Sequence, residues 1–399
     1  MKKTIIYLLI IFSILFIFPL QCNAEESNNK LNIDSTEEVI NYTNENLGNE
    51  LNGLYSYINN MKTDVELMND LDAASYIKSY ITSGEGNISI NKILKAVVSL
   101  LFKEVNSVLK LALSMVAIAI LCSFLKNLQD ALSSDGISNI AFYACYIVLI
   151  LLLSKSFLIS VSLAKEVING IADFMSAILP VLVSIIALTG GVSQSATLDP
   201  IVMASVVIIP RIYCNVIIPL ILITFVLEFA NNLSEEHKIS NLCKTIKQCT
   251  LWLQGFIVTI FIAMLTIRGI TSSTIDAVTL KTTKFAIDNF IPIVGKAFSD
   301  AITSVAGYGL IIKNAISGVG LLILVLIILH PIIKITLISF IYKISSSLVE
   351  PISDKRITSS IAGAGNAMTL LLSCVLSVSL MFFILFGIIA SAGKFIVGG

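Results

Sequence analysis

LIIKNAISGVGLLILVLIIL, residues 310–329, holds a single charge, Lys313, in twenty positions. As a helix this stretch rises about 30 Å, enough to cross the hydrocarbon core of a bilayer. Seven further apolar runs stand at 109–125, 137–154, 172–190, 201–227, 250–267, 332–349 and 367–390. Lipid leaves no water to satisfy a free N–H or C=O, so runs of this length predict helices. The chain is therefore expected to be an all-α, polytopic membrane protein with seven or eight spans. Pro210, Arg211 and Pro219 interrupt the run at 201–227, and 332–349 also fits an interfacial helix.

The composition agrees, with 56% of 399 residues hydrophobic and only 13% charged. Lysine plus arginine balance aspartate plus glutamate at 26 each, so the net charge points to neither nucleic acid nor an acidic substrate.

Outward from the spans, the N-terminus has Lys2 and Lys3, an apolar run from Ile5 to Phe18, Pro19, and then Cys22-Asn23-Ala24. This pattern predicts a cleaved signal peptide at 1–24, with a lipoprotein signal at Cys22 or an uncleaved first helix as alternatives. Residues 25–91 are polar and acidic, as expected of a small extracytoplasmic helical region. Within them Leu47, Leu51, Leu54, Ile58, Met61, Val65 and Met68 recur every four and three residues. That is the seam of a helix packed on another helix, either in a local hairpin or in a coiled coil with a partner. Residues 92–108 read as an amphipathic surface helix: Leu94, Val97, Leu101, Val105 and Val108 line one side, and Lys92, Lys95 and Lys103 the other. The lysines suit anionic lipid or an ordinary solvated face. The polytopic domain then fills 109–399.

Inside that domain, 271–305 forms a Pro/Gly-broken amphipathic insertion around Asn289-Phe290-Ile291-Pro292-Ile293-Val294-Gly295. Lys281, Lys284 and Asp288 share a helical face, Lys284 and Asp288 being spaced i,i+4; Lys296 and Asp300 repeat that spacing beyond the proline. Two short helices joined by this corner would make a re-entrant hairpin or a surface platform, or else a loop lying on headgroups. Arg268, Lys281, Lys284 and Lys296 would share the cytoplasmic side with Lys355 and Arg356 if 310–329 and 332–349 formed a hairpin.

No H-E-x-x-H, G-x-S-x-G or phosphate-cradling loop is present, so no enzyme, cofactor or metal is expected. His237, Cys243 and Cys249 are the only imaginable metal set, and membrane-proximal cysteines are usually packing residues. An ionisable residue inside a span is costly and normally faces a partner or water. Arg211 is the main instance, bracketed by Asp199 and Glu228. Lys313 and Lys334 fall near the ends of their runs, where a lysine can snorkel to the interface. Candidate pore or assembly residues are thus Arg211, Lys281, Lys284, Asp288, Asn289, Pro292, Gly295, Lys296 and Asp300. Gly307, Gly309, Gly318 and Gly320, with Ser373 and Ser377, allow close helix approach in a compact bundle or a homo-oligomer.

The run TLKTTKFAIDNFIPIVGKAFSD at 279–300, with the upstream Leu179-Pro180 and Gly190-Gly191, resembles the stage III sporulation protein AE family of endospore-forming Firmicutes. The resemblance covers essentially the whole chain. It implies a multi-pass protein of the mother-cell membrane around the forespore, with its N-terminal region extracytoplasmic. It further implies a part in the channel, or feeding-tube, complex that sustains the engulfed forespore and resembles specialised secretion systems. The partners it implies are other products of the same operon, including a secretion-type ATPase and ring-forming subunits, and a forespore membrane protein. It brings no catalytic residues. A stand-alone small-solute permease is the alternative, against which stand the acidic exported region and the lack of an evident repeat between halves.

Overall fold

The computed structural model describes residues 90–132, 135–189, 192–233, 239–290 and 295–391, all within one compact unit, Asn49–Gly399. The expected signal peptide and nearly all of the acidic region lie outside the described residues. Among the described residues seven α-helices follow in order: α1 Ile90–Leu132, α2 Asp135–Leu188, α3 Val192–Ile212, α4 Ile218–Leu233, α5 Ser240–Phe290, α6 Gly295–Val349 and α7 Lys355–Ser391. A π-helical turn, Tyr213–Ile217, joins α3 to α4 without a break. Among the described residues there is no strand.

Six stretches of the described residues are long and apolar enough to cross a membrane: Val98–Asn127, Tyr143–Ala187, Val202–Asn232, Ser240–Thr266, Gly307–Val349 and Lys355–Ser391. The expected seven or eight become six because two pairs of runs merge. Runs 137–154 and 172–190 are parts of α2, and 310–329 and 332–349 are parts of α6. Between 154 and 172 the charged and larger polar residues Lys155, Glu166 and Asn169 fall on the outward face with Ser162, so the helix continues while its inward face stays free of charge, Ser156 and Ser160 being its polar members. His330-Pro331 likewise does not end α6. The basic clusters at Lys296 and at Lys355-Arg356 consequently lie at opposite ends of α6, not on one side as a hairpin would place them.

The amphipathic stretches are also continuous with spans. Residues 92–108 belong to α1, whose inward face at Glu104, Val108, Met115, Ala119 and Cys122 follows the helical period, while Leu101 is exposed. Residues 271–290 prolong α5 and 295–305 open α6, leaving only 291–294 outside the described residues between them. No proline interrupts 240–290, which accounts for one helix where two were expected.

Helices α2 and α6 run antiparallel over more than thirty residues. Tyr342 Oη donates to Leu153 O (3.3 Å), Gly170 faces Ile327, Gly320 faces Ile178, and Gly309 faces Thr189. At 1.5 Å per residue each exceeds about 75 Å, more than twice the hydrocarbon thickness. Helix α7 folds back along α6, with Ser346 Oγ donating to Thr358 O (3.1 Å) and Ser339 Oγ sharing a hydrogen bond with Thr369 Oγ1 (3.0 Å). It also packs on α2, α4 and α5, so apolar side chains on all its sides are buried, among them Ile361, Met368, Cys374, Phe382 and Phe386. The π turn has a local cause: Pro219 offers no N–H to Asn215 and its ring crowds that carbonyl. The wider turn, in which Ile218 N–H reaches back to Tyr213 O, makes room.

The α2–α6–α7 contact is tightest at Gly320, where a Cβ would stand 2.5 Å from both Ile178 Cδ1 and Phe386 Cζ. Gly320→Ala is expected to destabilise the detergent-purified protein by about 1–3 kcal/mol through overpacking. Gly255→Ala, whose Cβ meets nothing within 4 Å, is expected to be neutral or stabilising. Thermal unfolding of the two variants side by side checks this difference.

Candidate functional site

Three groups of interior polar side chains tie helices together: one within the spans, one at a helix end, and one at the α6–α7 turn. Within the spans, Glu104 of α1 is turned onto α6, its side chain only 9% exposed. Its Oε1 stands 3.3 Å from His330 Nε2 and 3.4 Å from Lys334 Nζ. His330 and Lys334 are one helical turn apart, so both reach the same carboxylate. Glu104 Oε2 is buried and accepts no hydrogen bond among the described residues. A carboxylate held between an ammonium and an imidazole fixes α1 to α6, and its second oxygen remains open to a donor. The arrangement is a polar tie between two helices, and no nucleophile is engaged in it.

At the helix end, Lys313 is completely buried and its Nζ donates to Ala390 O (2.8 Å) in the last turn of α7. The final carbonyls of a helix lack intrahelical donors and carry partial negative charge, so an ammonium there is well placed. Lys313 and Lys334 therefore do not snorkel as their positions along the sequence suggest: each meets a specific acceptor on another helix. Replacing Lys313 would remove this tie between α6 and α7.

At the turn, Asp354 caps α7. Its Oδ1 accepts from Arg356 N–H (2.7 Å) and from Arg356 Nε (3.3 Å), and its Oδ2 accepts from Lys126 Nζ at the end of α1. Ser123 Oγ donates to Ile352 O, so two residues of α1 clasp the turn. The Arg356 guanidinium lies over the Tyr143 ring, 5.9 Å from its centroid, and Tyr146 Oη shares a 2.6 Å hydrogen bond with Ser360 Oγ. Burial opposes ionisation of Asp354, but hydrogen bonds from Lys126 and Arg356 outweigh it and hold the carboxyl below its ordinary range.

Of the residues expected from sequence, Arg211 is exposed on α3 immediately before the π turn. Lys281, Lys284, Asp288 and Asn289 lie in the C-terminal third of α5, and Gly295, Lys296 and Asp300 in the first turns of α6. Their side chains, like Pro292 itself, lie outside the described residues, as does His237. The chain thus brings seven of the nine candidates to the ends of two consecutive helices, with Arg211 on a different one. Glu104, His330 and Asp354 are not among the nine. Glu104 sits among the lysines of an amphipathic pattern, although its i,i+4 relation to Val108 on the inward face is readable. Asp354, just ahead of a long apolar helix, is a readable N-cap.

Asp354→Ala removes both the cap and the partner of Lys126 and is expected to lower stability by about 1–2 kcal/mol. Because the folded carboxyl sits below its unfolded value, the wild-type contribution is complete above the usual carboxylate range and vanishes as pH falls through the folded value. Unfolding midpoints of wild type and Asp354→Ala, measured from neutral pH downward in detergent, should therefore converge at acidic pH.

Comparison with known proteins bears on the whole described bundle. The family model for stage III sporulation protein AE matches residues 71–393. Stage III sporulation protein AE of Bacillus subtilis (strain 168) is 29% identical over 312 residues, covering 78% of each chain. No solved structure matches. A match that runs from before α1 to the end of α7 identifies the chain as a member of the stage III sporulation protein AE family.

Proposed function

We propose that this protein is a non-enzymatic, integral membrane component of the mother cell–forespore channel complex, needed for sporulation after engulfment. The observation that carries the reading is the family match over 71–393, which takes in all six candidate spans. Two features of the bundle support it. The buried polar contacts join helix to helix: Glu104 to α6, Lys313 to α7, Lys126 to the turn. Helices α2 and α6 are longer than a membrane requires, which suits a part that meets other proteins beyond the bilayer surface.

In this reading the chain sits in the mother-cell membrane around the forespore, with its N-terminal region exported after signal cleavage. Its partners are other products of the same operon, including a secretion-type ATPase and ring-forming subunits, and a forespore membrane protein. The ends of α5 and α6, with Lys281, Lys284, Asp288, Lys296 and Asp300, offer charged turns for such contacts. The chain performs no reaction of its own.

Deleting the gene in its own host and following sporulating cells with a membrane dye and a late forespore reporter tests the proposal. Arrest after engulfment, with a shrunken forespore and a silent reporter, is the expected result, reversed by the wild-type gene. Normal spores would contradict it, and solute uptake by the purified protein in vesicles would favour a stand-alone permease.

A further inference from the structure

One face of the bundle is unlike the rest. Along α2 the residues Leu151, Lys155, Leu158, Ser162, Glu166, Asn169, Asp173 and Ser176 are all exposed, and they recur every three or four positions. That spacing is the seam of a helix that packs along another helix at a shallow angle. Here it faces outward, and among the described residues no helix lies along it. Its upper half alternates leucines with Lys155 and Ser162; its lower half carries an amide and two carboxylates, all within the 45-residue apolar run Tyr143–Ala187.

Helix α3 adds to this face. Cys214 Sγ lies 3.8 Å from Asn169 Oδ1, and Phe157 stacks on Phe225 at 3.9 Å, so α2 and α3–α4 run antiparallel here. Arg211, three residues before Cys214, is then nearly level with Asp173, four residues after Asn169, and both are exposed. Lys165, half-buried, and Glu166, exposed, two turns before Asp173 on α2, occupy a second level. Among the described residues none of these four takes part in an ion pair. Left unpaired against hydrocarbon, a charge is costly and normally faces a partner or water.

Each of these two levels holds one cation and one anion, whereas Lys155, further up the seam, has no acidic residue of α2 within a turn of it. A second copy inserted with the same orientation, and turned about an axis normal to the membrane, presents the same levels. Asp173 of one copy can then meet Arg211 of the other, and Lys165 can meet Glu166, in the self-complementary manner of a two-fold interface. Asn169 at mid-seam can pair with its own counterpart, the role a single buried amide plays in fixing register. Ser162 and Ser176 let the helices approach closely. We propose that this face of α2 and α3 is a homodimer interface, centred on Asn169 and closed by reciprocal Asp173–Arg211 pairs. The contact does not depend on what the larger assembly does in the cell.

Charge reversal distinguishes this contact from a water-lined or lipid-facing surface. The full-length protein, carrying either of two affinity tags, is co-expressed and extracted in mild detergent, and the second tag recovered on the first is measured. Wild type should co-purify with itself. D173R alone places two cations at one level and R211D alone two anions, so each should lose self-association by tenfold or more. Co-expressing a D173R copy with an R211D copy should restore co-purification, because each then meets the opposite charge. That recovery also shows that both variants fold and insert. Failure of wild type to co-purify, unchanged self-association in both single variants, or no recovery in the mixed pair would overturn the proposal.

Discussion

Within lipid every main-chain N–H and C=O must find its partner inside its own helix or on a neighbouring one. Helix α6 has to meet that demand across Pro331, where one donor is missing and the ring presses on the carbonyl of Ile327. It does so in a crowded place, held by α2 on one side and α7 on another, with α1 beside it. Because α6 passes the proline, it remains one element from Gly295 to Val349. That length gives α2 an antiparallel partner over more than thirty residues and lets α7 fold back from Thr358 to Ala390. The separation of the basic clusters follows from it, and the count of six candidate spans follows from it together with the equal continuity of α2.

The polar groups that remain inside the bundle act at the places where these long elements could slide. Apolar packing is tolerant of register, whereas a carboxylate placed against Lys334 and His330, or an ammonium on Ala390 O, has one good position. Asp354 does the same at the α6–α7 turn, where its hydrogen bonds to Arg356 and Lys126 define both the start of α7 and the end of α1. Tight glycine contacts work alongside them: Gly363 lies against Glu228, and Gly365 against Tyr342. Such contacts suit a member of the stage III sporulation protein AE family read as one part of an assembly.

The membrane class is legible in the sequence, because a chain that folds in water rarely repeats apolar runs of about twenty residues. The joints between spans are not, because charged residues such as Lys155 and Glu166 look like the end of a span in one dimension. In three dimensions they occupy one outward face of a continuous helix. Pro331 looks like a corner for the same reason, yet α6 runs through it. Lys313 shows the reverse error: position along a run cannot reveal that a side chain points at the last turn of another helix. The π turn at Tyr213–Ile217 leaves only the trace of two flanking prolines.

The continuity of α6 can be measured directly. Ile311 and Leu348 are both exposed, near opposite ends of its apolar stretch, and accept spin labels on cysteines introduced into a background freed of the native ones. Pulsed electron–electron resonance on the reconstituted protein should give a distance of about 55 Å, the rise of 37 residues of unbroken helix. A distance of about 10–20 Å, as two antiparallel helices joined at Pro331 would produce, would contradict the account.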